Sequence, residues 1–209
     1  MLGLINKAIE NFAIDTYGKA FWNSFTRRHL NGEFTFEPLL EYEHALTFRL
    51  IDWLAEARSK TSADIMEDIG TFLVSARNGE ALRRLLRFGG ANFVEFIFSL
   101  DELNERSEIA LKDLNLPQLS VERINQNSVS VRVDQSWPGF EHVMAGILRS
   151  LADDYGALVF INVSPPEGGS AYLVLELIQH HFTEGRKFSL AWEDDCDADP
   201  IRYLMPVSY

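Results

Sequence analysis

Cysteine is nearly absent from the 209-residue sequence, whose single Cys196 excludes an intramolecular disulfide. Since disulfides form in oxidising compartments, one thiol fits a reducing cytoplasm. The first residues, MLGLINK, lack the long apolar run of a signal peptide. Polar residues interrupt every hydrophobic stretch before it reaches the length that spans a bilayer. We therefore expect a soluble, cytoplasmic protein.

Basic residues are also scarce. The sequence has 19 lysines and arginines against 31 aspartates and glutamates, which gives a formal net charge of −12. This charge repels nucleic acid, and no basic stripe with interleaved aromatic residues overrides it. Anionic membrane surfaces are disfavoured for the same reason. The composition thus predicts that neither nucleic acid nor a membrane is a partner.

Recognisable catalytic constellations are missing too. No Ser/His/Asp spacing or glycine-flanked nucleophile stands out, so we predict no enzymatic activity. The glycine pairs at residues 89–90 and 168–169 do not lie between a strand and a helix in the pattern of a phosphate-binding loop, and they indicate turns.

The C-terminal segment, residues 193–209, begins as an acidic run that is typical of a solvated extension. Its carboxylates could bind a hard cation, but their spacing lacks the glycine and distal glutamate of a calcium loop, so no metal site is expected. These carboxylates also disfavour the thiolate of Cys196, which we regard as inert. The carboxylates around Cys196 are Asp194, Asp195, Asp197 and Asp199.

Apolar residues are abundant, at 46% of the chain with 15 phenylalanines, and predict a large aromatic core. In the first half they recur at helical spacing. The spacing predicts helices at residues 4–17, 21–25, 46–57, 62–73, 81–87 and 92–103. Ser62 is the expected cap of the fourth helix.

The second half changes to a mixed pattern. Alternation of valine with polar residues predicts a strand at 129–133, and helical spacing returns at 140–154. Further strands are predicted at 157–163, 172–178 and 188–192, with a loop at 165–169. Helices followed by a strand-helix-strand-strand-strand order predict an α+β fold.

Short motifs in a fixed order resemble the haem nitric-oxide/oxygen binding family, usually called H-NOX. MLGLINK is similar to the start of that family, and DIMEDIGTFLV at 64–74 resembles its "ELLEAFGRYFV"-type helix. LLRFGG at 85–90 and LDEL at 100–103 match the run into the iron-ligand helix, and PGFEHVMAGI at 138–147 is similar to a later helix start. The remaining landmarks are Tyr17, Gly18, Trp22, Phe93 and Phe96.

The resemblance covers residues 1–192. It implies a helical lobe at about 1–115, an α/β lobe with an antiparallel sheet at about 117–192, and haem clamped between them. It also implies gas sensing coupled to a partner such as a histidine kinase, a cyclic-di-nucleotide enzyme or a cyclase. Pro117 stands where a haem-distorting proline is expected. The candidates for lining the pocket are Ile5, Phe72, Phe96, Leu100, Pro117 and Ile147.

The haem anchors that the resemblance implies are substituted. The position of the iron-binding histidine holds Asn104, whose amide is a poor iron ligand. The family holds the haem propionates with a Tyr-x-Ser-x-Arg motif, and an ungapped alignment places Val133, Gln135 and Trp137 there. A shifted alignment finds the pattern at Ser128, Ser130 and Arg132 but requires a five-residue insertion. We prefer the ungapped alignment, and we therefore expect no haem cofactor.

Three hypotheses follow. The chain is a stand-alone sensor or regulator on the H-NOX fold, in which another apolar ligand occupies the cleft between the lobes. Alternatively, it senses nitric oxide or oxygen through haem with unusual ligation, for which His44 and His142 are weak candidates. The third hypothesis is a ligand-free interaction module. The other histidines, His29, His180 and His181, are expected to be structural or solvent-facing.

Overall fold

The structure is a computed structural model that describes residues 3–32, 34–75, 82–83, 86, 89–103, 105 and 116–186. Its helices are α1 (Gly3–Tyr17), α2 (Lys19–His29), α3 (His44–Arg58), α4 (Ser62–Ser75) and α5 (Phe93–Phe98), which a short 3-10 helix (Ser99–Glu102) continues. There follow β1 (Leu119–Arg123), β2 (Ser128–Asp134), α6 (Phe140–Tyr155), β3 (Leu158–Glu167) and β4 (Ser170–Gln179). The predicted α+β class is confirmed.

The chain divides into two compact units, and the division falls within α4, between Ile65 and Met66. This position differs from the lobe boundary near residue 116 that the resemblance implied. The lobe limits themselves, and the 193–209 extension, stay predictions.

The first unit is helical, with α1 in contact with both α2 and α3. Aromatic side chains fill its core because α2 presents Trp22 and Phe25 one turn apart, and their rings stack with centroids 5.4 Å apart. Phe36, from the segment between α2 and α3, is completely buried against Trp22. The indole nitrogen of Trp22 donates a hydrogen bond to the carbonyl of Phe34 at 3.0 Å.

A buried polar network fixes α1 to that same segment. The Glu10 carboxylate accepts hydrogen bonds from Lys7 Nζ at 3.1 Å, from the Thr35 hydroxyl at 2.7 Å and from the Phe36 amide at 2.8 Å. Lys7 is only 6% exposed and Glu10 only 3%. Because each charge has a partner, the network offsets much of the cost of removing both from water.

The start of α4 is capped one residue earlier than the sequence predicted. Thr61, not Ser62, exchanges hydrogen bonds with Asp64: its hydroxyl accepts from the Asp64 amide, and its own amide donates to the Asp64 carboxylate, both at 3.1 Å. This reciprocal pair is a capping box, with aspartate in place of the usual glutamate. Ser62 instead donates to Asp52 on α3 at 2.7 Å.

The second unit is built on a four-stranded antiparallel sheet in the order β1-β2-β4-β3. Alternation along β2 sends Val129, Val131 and Val133 to the buried face, where Leu173 and Leu175 of β4 lie beside them. Helix α6 packs on β3 and β4, and α5 contacts α6. The 3-10 helix contacts β1, where Asp101 accepts a hydrogen bond from the Val121 amide at 2.6 Å.

Two small residues let α4 and α6 approach closely. A Cβ added to Gly146 of α6 would overlap the carbonyl of Glu67 on α4 and lie 2.7 Å from the Thr71 amide nitrogen. A Cβ on Gly70 of α4 would likewise overlap the carbonyl of Val143. An ion pair between Glu67 and Arg149 joins the same two helices.

The strand predictions need correction at two places. Strand β1 was missed, so the described order is strand-strand-helix-strand-strand. Residues 165–167, predicted as loop, belong to β3 although Pro165 and Pro166 lack amide donors, and only Gly168 and Gly169 form the turn into β4. The predicted strand at 188–192 lies outside the described residues, as does most of the predicted helix at 81–87.

Candidate functional site

Val133 is the first of the three positions that the resemblance assigns to propionate binding. It lies in β2 between Leu119 of β1 and Ala171 of β4, and it is completely buried. An isopropyl group offers no hydrogen bond to a carboxylate. This position therefore contributes apolar surface only.

Gln135 follows the end of β2, and its amide group is already engaged. Its side-chain nitrogen donates to Glu141 Oε2 at 3.1 Å, and its backbone amide donates to the Gly169 carbonyl at 3.1 Å. Glu141, in the first turn of α6, is only 3% exposed. Gln135 thus donates to a buried carboxylate of the protein itself. The Glu141 carboxylate lies in the first turn of α6, where the helix dipole favours a negative charge.

Trp137 precedes α6 and stacks on Phe140, with ring centroids 5.3 Å apart and planes at 30°. The residue is partly exposed, but its indole nitrogen is buried and has no hydrogen-bond partner among the described residues. The family motif has an arginine here, which binds a carboxylate through charge-assisted hydrogen bonds. Tryptophan supplies one neutral donor instead.

The charged group nearest in sequence to these positions is also negative. Asp134 accepts a hydrogen bond from the Ser136 amide at 2.7 Å. Hydrogen bonds from the Ser136 side chain and amide lower the pKa of Asp134, against the opposing effect of partial burial. The carboxylate is therefore ionised at neutral pH.

The shifted alignment places its three residues on the opposite face of β2. Ser128, Ser130 and Arg132 alternate with the buried valines, and Arg132 is exposed. Its guanidinium donates through Nε to the Ser170 hydroxyl at 3.0 Å. The cation of the shifted motif thus lies on the face of β2 opposite to Val133, and the choice between the two alignments stays a prediction.

Most of the expected pocket-lining residues belong to the second unit. Phe96, Leu100, Pro117 and Ile147 are buried, and Phe72 is half-buried. Phe96 stacks on Tyr155 with ring centroids 5.8 Å apart, so α5 and the end of α6 share an aromatic cluster. The half-buried Ile5 lies in the first unit, on α1. Their assignment to one pocket stays a prediction.

The iron-ligand position, Asn104, lies outside the described residues, as do Cys196 and the acidic extension. Its neighbour Leu103 is 7% exposed, and Glu105 is exposed. A buried residue thus precedes Asn104 in the sequence and an exposed residue follows it.

Neither candidate histidine belongs to a preorganised metal site formed by the described residues. His44 is exposed at the start of α3, and His142 lies on α6 with Nε2 3.9 Å from Glu141 Oε1. His29 stacks on Trp53, with ring centroids 4.5 Å apart. Burial lowers the pKa of His29, with a smaller contribution from Arg28, while Glu56 acts in the opposite direction. His180 and His181 are exposed.

Within the described ranges, no group of three or more histidine, cysteine, aspartate or glutamate residues is arranged to hold a metal ion. The same part of the chain has no helix that is long and apolar enough to cross a membrane.

Sequence reasoning overlooked Glu141 and the free donor of Trp137. Glu141 lies within the PGFEHVMAGI motif, and nothing in the sequence distinguishes a buried glutamate from a surface one in the first turn of a helix. The contact with Gln135 could not be inferred, because a hydrogen bond between side chains depends on tertiary placement.

Solved structures share this fold. An H-NOX protein from S. oneidensis in the Fe(II) ligation state superposes with a TM-score of 0.73 at 17% identity, over 87% of this chain and 98% of that one. A mutant of an unliganded Fe(II) H-NOX protein from K. algicida gives a TM-score of 0.71 at 16% identity, over 85% and 96%. At such identities the likeness establishes the fold.

Curated relatives include the soluble guanylate cyclase gcy-31 of Caenorhabditis elegans, 22% identical over 156 residues, or 74% of this chain. The human guanylate cyclase soluble subunit beta-2 is 31% identical over 72 residues, or 34% of this chain. The aligned regions span only 22% and 12% of those relatives. The family model described as Haem-NO-binding matches residues 2–163. The chain belongs to the haem-NO-binding, or H-NOX, family.

Proposed function

We propose that this chain is a sensory or regulatory H-NOX domain that does not bind haem in the manner of its family. It takes another apolar ligand in the cleft between its lobes and signals to a partner protein. The observation that carries the proposal is the set of side chains at the three propionate positions. They are a buried valine, a glutamine bonded to Glu141, and a tryptophan with one neutral donor.

Haem does not fit these residues. Its propionates are carboxylates, and burying or half-burying them requires cations or several donors. The buried acidic group beside these positions is the Glu141 carboxylate, which Gln135 already serves, and the charged residues Arg132 and Asp134 lie on the face of β2 opposite to Val133. Two further carboxylates would be repelled here, not held.

At the iron-ligand position the sequence places an amide in place of an imidazole. Neutral imidazole is a strong ligand for iron, whereas the Asn104 amide offers a weakly donating oxygen and a non-basic nitrogen. Loss of one anchor could be compensated by the rest of the pocket. Loss of the iron ligand together with all three propionate contacts favours a change of ligand.

The output we propose is a change in protein conformation that a partner recognises. The named relatives are guanylate cyclases, and this chain matches about a fifth or less of their length. A signalling protein such as a histidine kinase, a cyclic-di-nucleotide enzyme or a cyclase is therefore the proposed partner class. The domain itself is proposed to be non-catalytic.

An absorption spectrum tests the cofactor part of this proposal. The chain is expressed with excess haem precursor, purified, and measured before and after addition of hemin and nitric oxide. We expect no stoichiometric Soret band, and only the broad absorption of loosely bound hemin. A sharp, stoichiometric band that shifts with nitric oxide would instead establish a haem sensor with unusual ligation, and His44→Ala and His142→Ala would then identify the ligand.

A partner-binding assay separates the remaining alternative. If the chain binds a signalling protein with the same affinity whether or not an apolar ligand is present, it acts as a ligand-free interaction module. We expect the affinity for the partner to change when the ligand binds, because a ligand shifts a conformational equilibrium only through different affinities for the two states.

A further inference from the structure

The buried indole nitrogens of Trp22 and Trp137 differ in whether they have a hydrogen-bond acceptor. Trp22 is 2% exposed, and its indole nitrogen donates to the Phe34 carbonyl at 3.0 Å. The indole nitrogen of Trp137 is also buried, yet no acceptor within the described ranges lies at hydrogen-bonding distance. A buried donor without an acceptor is unfavourable, so nearly all such groups in folded proteins are satisfied by protein, water or ligand.

The surroundings of Trp137 restrict what could satisfy it. The indole stacks on Phe140, which is 6% exposed, and Val133, four residues before Trp137 in the sequence, is completely buried. Apolar surface therefore dominates. The amide of Gln135 already donates to Glu141 and leaves Trp137 as the free donor among the three propionate positions.

The charge of the acceptor follows from the neighbouring buried carboxylate. Glu141 directly follows Phe140 and is 3% exposed, and its Oε2 accepts the hydrogen bond from Gln135. A second carboxylate brought beside it would be repelled, and repulsion is strong where little water screens it. A neutral oxygen meets no such penalty.

We infer that Trp137 binds the oxygen of a neutral carbonyl group on an apolar ligand, so that the haem-type pocket of this chain has changed its preference from carboxylate to ketone, ester or amide. The inference rests on the proposed function, because it names the ligand class for the same cleft. Trp137 acts here as a specificity residue: its single hydrogen bond selects the acceptor, while the apolar surface supplies most of the affinity.

Three probes of matched shape test the inference. Benzylacetone, hydrocinnamate and butylbenzene share a phenylethyl body and end in a methyl ketone, a carboxylate and an ethyl group. Their affinities for the full chain are measured by calorimetry. We expect benzylacetone to bind roughly three- to tenfold more tightly than butylbenzene, the size of one net hydrogen bond, and hydrocinnamate to bind most weakly.

The variant Trp137→Phe removes the donor and keeps an aromatic ring. We expect it to bind benzylacetone and butylbenzene equally. Trp53→Phe is the matched control, since Trp53 stacks on His29 in the first unit, and it should keep the preference for the ketone. If Trp137→Phe fails to fold, the indole proton resonance of Trp137 in the ¹⁵N-labelled parent chain decides: benzylacetone should shift it and butylbenzene should not.

Each failure has its own meaning. Equal binding of benzylacetone and butylbenzene, with an unmoved Trp137 resonance, would overturn the carbonyl inference and leave the apolar-ligand function intact. Tightest binding of hydrocinnamate would show that the carboxylate preference persists and would overturn the inference directly. Absence of binding by all three probes would count against the apolar cleft, and with it against both proposals.

Discussion

Glu10 accepts three hydrogen bonds although only 3% of the residue is exposed. Its partners come from α1 itself and from the segment at 35–36, so one carboxylate connects a helix to a loop that has no regular structure of its own. The ion pair with Lys7 is buried on both sides, with side chains 8% and 4% exposed. Such a pair stabilises only while both members are present.

Replacing one member should therefore cost more than replacing both. We expect Glu10→Leu to lower the free energy of unfolding by about 3 kcal/mol or more, because the buried Lys7 loses its counter-charge and the buried Phe36 amide loses its acceptor. The double variant Lys7→Met, Glu10→Leu should recover part of that loss. Urea denaturation measures both. A double variant that is less stable than the single one would contradict this account.

Asp134 provides a test of pH dependence. Its pKa is lower in the folded state than its ordinary value of 3.8, so the ionised form stabilises the fold above that value, and the contribution disappears as the pH falls through the lower, folded pKa. We expect Asp134→Asn to be slightly less stable than the parent at pH 7, by less than about 1 kcal/mol since the amide still accepts from Ser136.

Urea denaturation at a series of pH values checks this prediction. The difference between parent and variant should shrink at acid pH, where the carboxyl group of the parent is itself protonated. A difference that stays constant across the series would mean that packing, not charge, distinguishes the two side chains.

At the scale of elements, the close contact of α4 with α6 depends on glycine. A methyl group on Gly146 would overlap the Glu67 carbonyl, and neither backbone can move without disturbing its own helix. Alanine gains about 1 kcal/mol of helix propensity over glycine. Overpacking of a well-packed contact typically costs about 1–3 kcal/mol, so the clash outweighs the gain.

The overlap is with backbone atoms, which places the overpacking cost in the upper part of that range, so we expect Gly146→Ala to reduce the free energy of unfolding by about 1–2 kcal/mol after the gain in helix propensity is subtracted. Gly32→Ala is the matched control, because no heavy atom lies within 4 Å of the added Cβ, and its change should stay within about 0.5 kcal/mol. Thermal unfolding followed by circular dichroism measures both. A neutral Gly146→Ala would show that the helices separate without cost.

Elements with a long repeating pattern were predictable from the sequence. Helical spacing located α1, α3 and α6, and alternation located β2. Strand β1 was missed because its five residues contain only two apolar side chains, Leu119 and Val121, and its strand character depends on pairing with β2. At the candidate site, the residue types could be read directly, but the partner of Gln135 and the free donor of Trp137 depend on tertiary contacts.

For the whole molecule, order and spacing of motifs were sufficient to identify the family at 17% identity to a solved structure. Similarity of fold does not determine the ligand, because function depends on particular side chains placed on the fold. If the haem anchors alone have been lost, restoring them should restore binding.

Asn104→His restores a strong iron ligand in both the single and the double variant. We expect the double variant Asn104→His, Trp137→Arg to bind hemin more tightly than Asn104→His alone, since the added arginine restores a charge-assisted contact to a carboxylate. The Soret band measured during hemin titration reports both the affinity and the ligation. His44→Ala in the same background should leave the band unchanged. Equal spectra for the single and double variants would show that position 137 does not contact the cofactor.

Each edge of the sheet has a local feature that opposes the addition of another strand. On β1, the Val121 amide already donates to the Asp101 carboxylate, and on β3, Pro165 and Pro166 have no amide hydrogen to offer. A second chain that paired with either edge would lack a donor at these points, which disfavours edge-to-edge aggregation there.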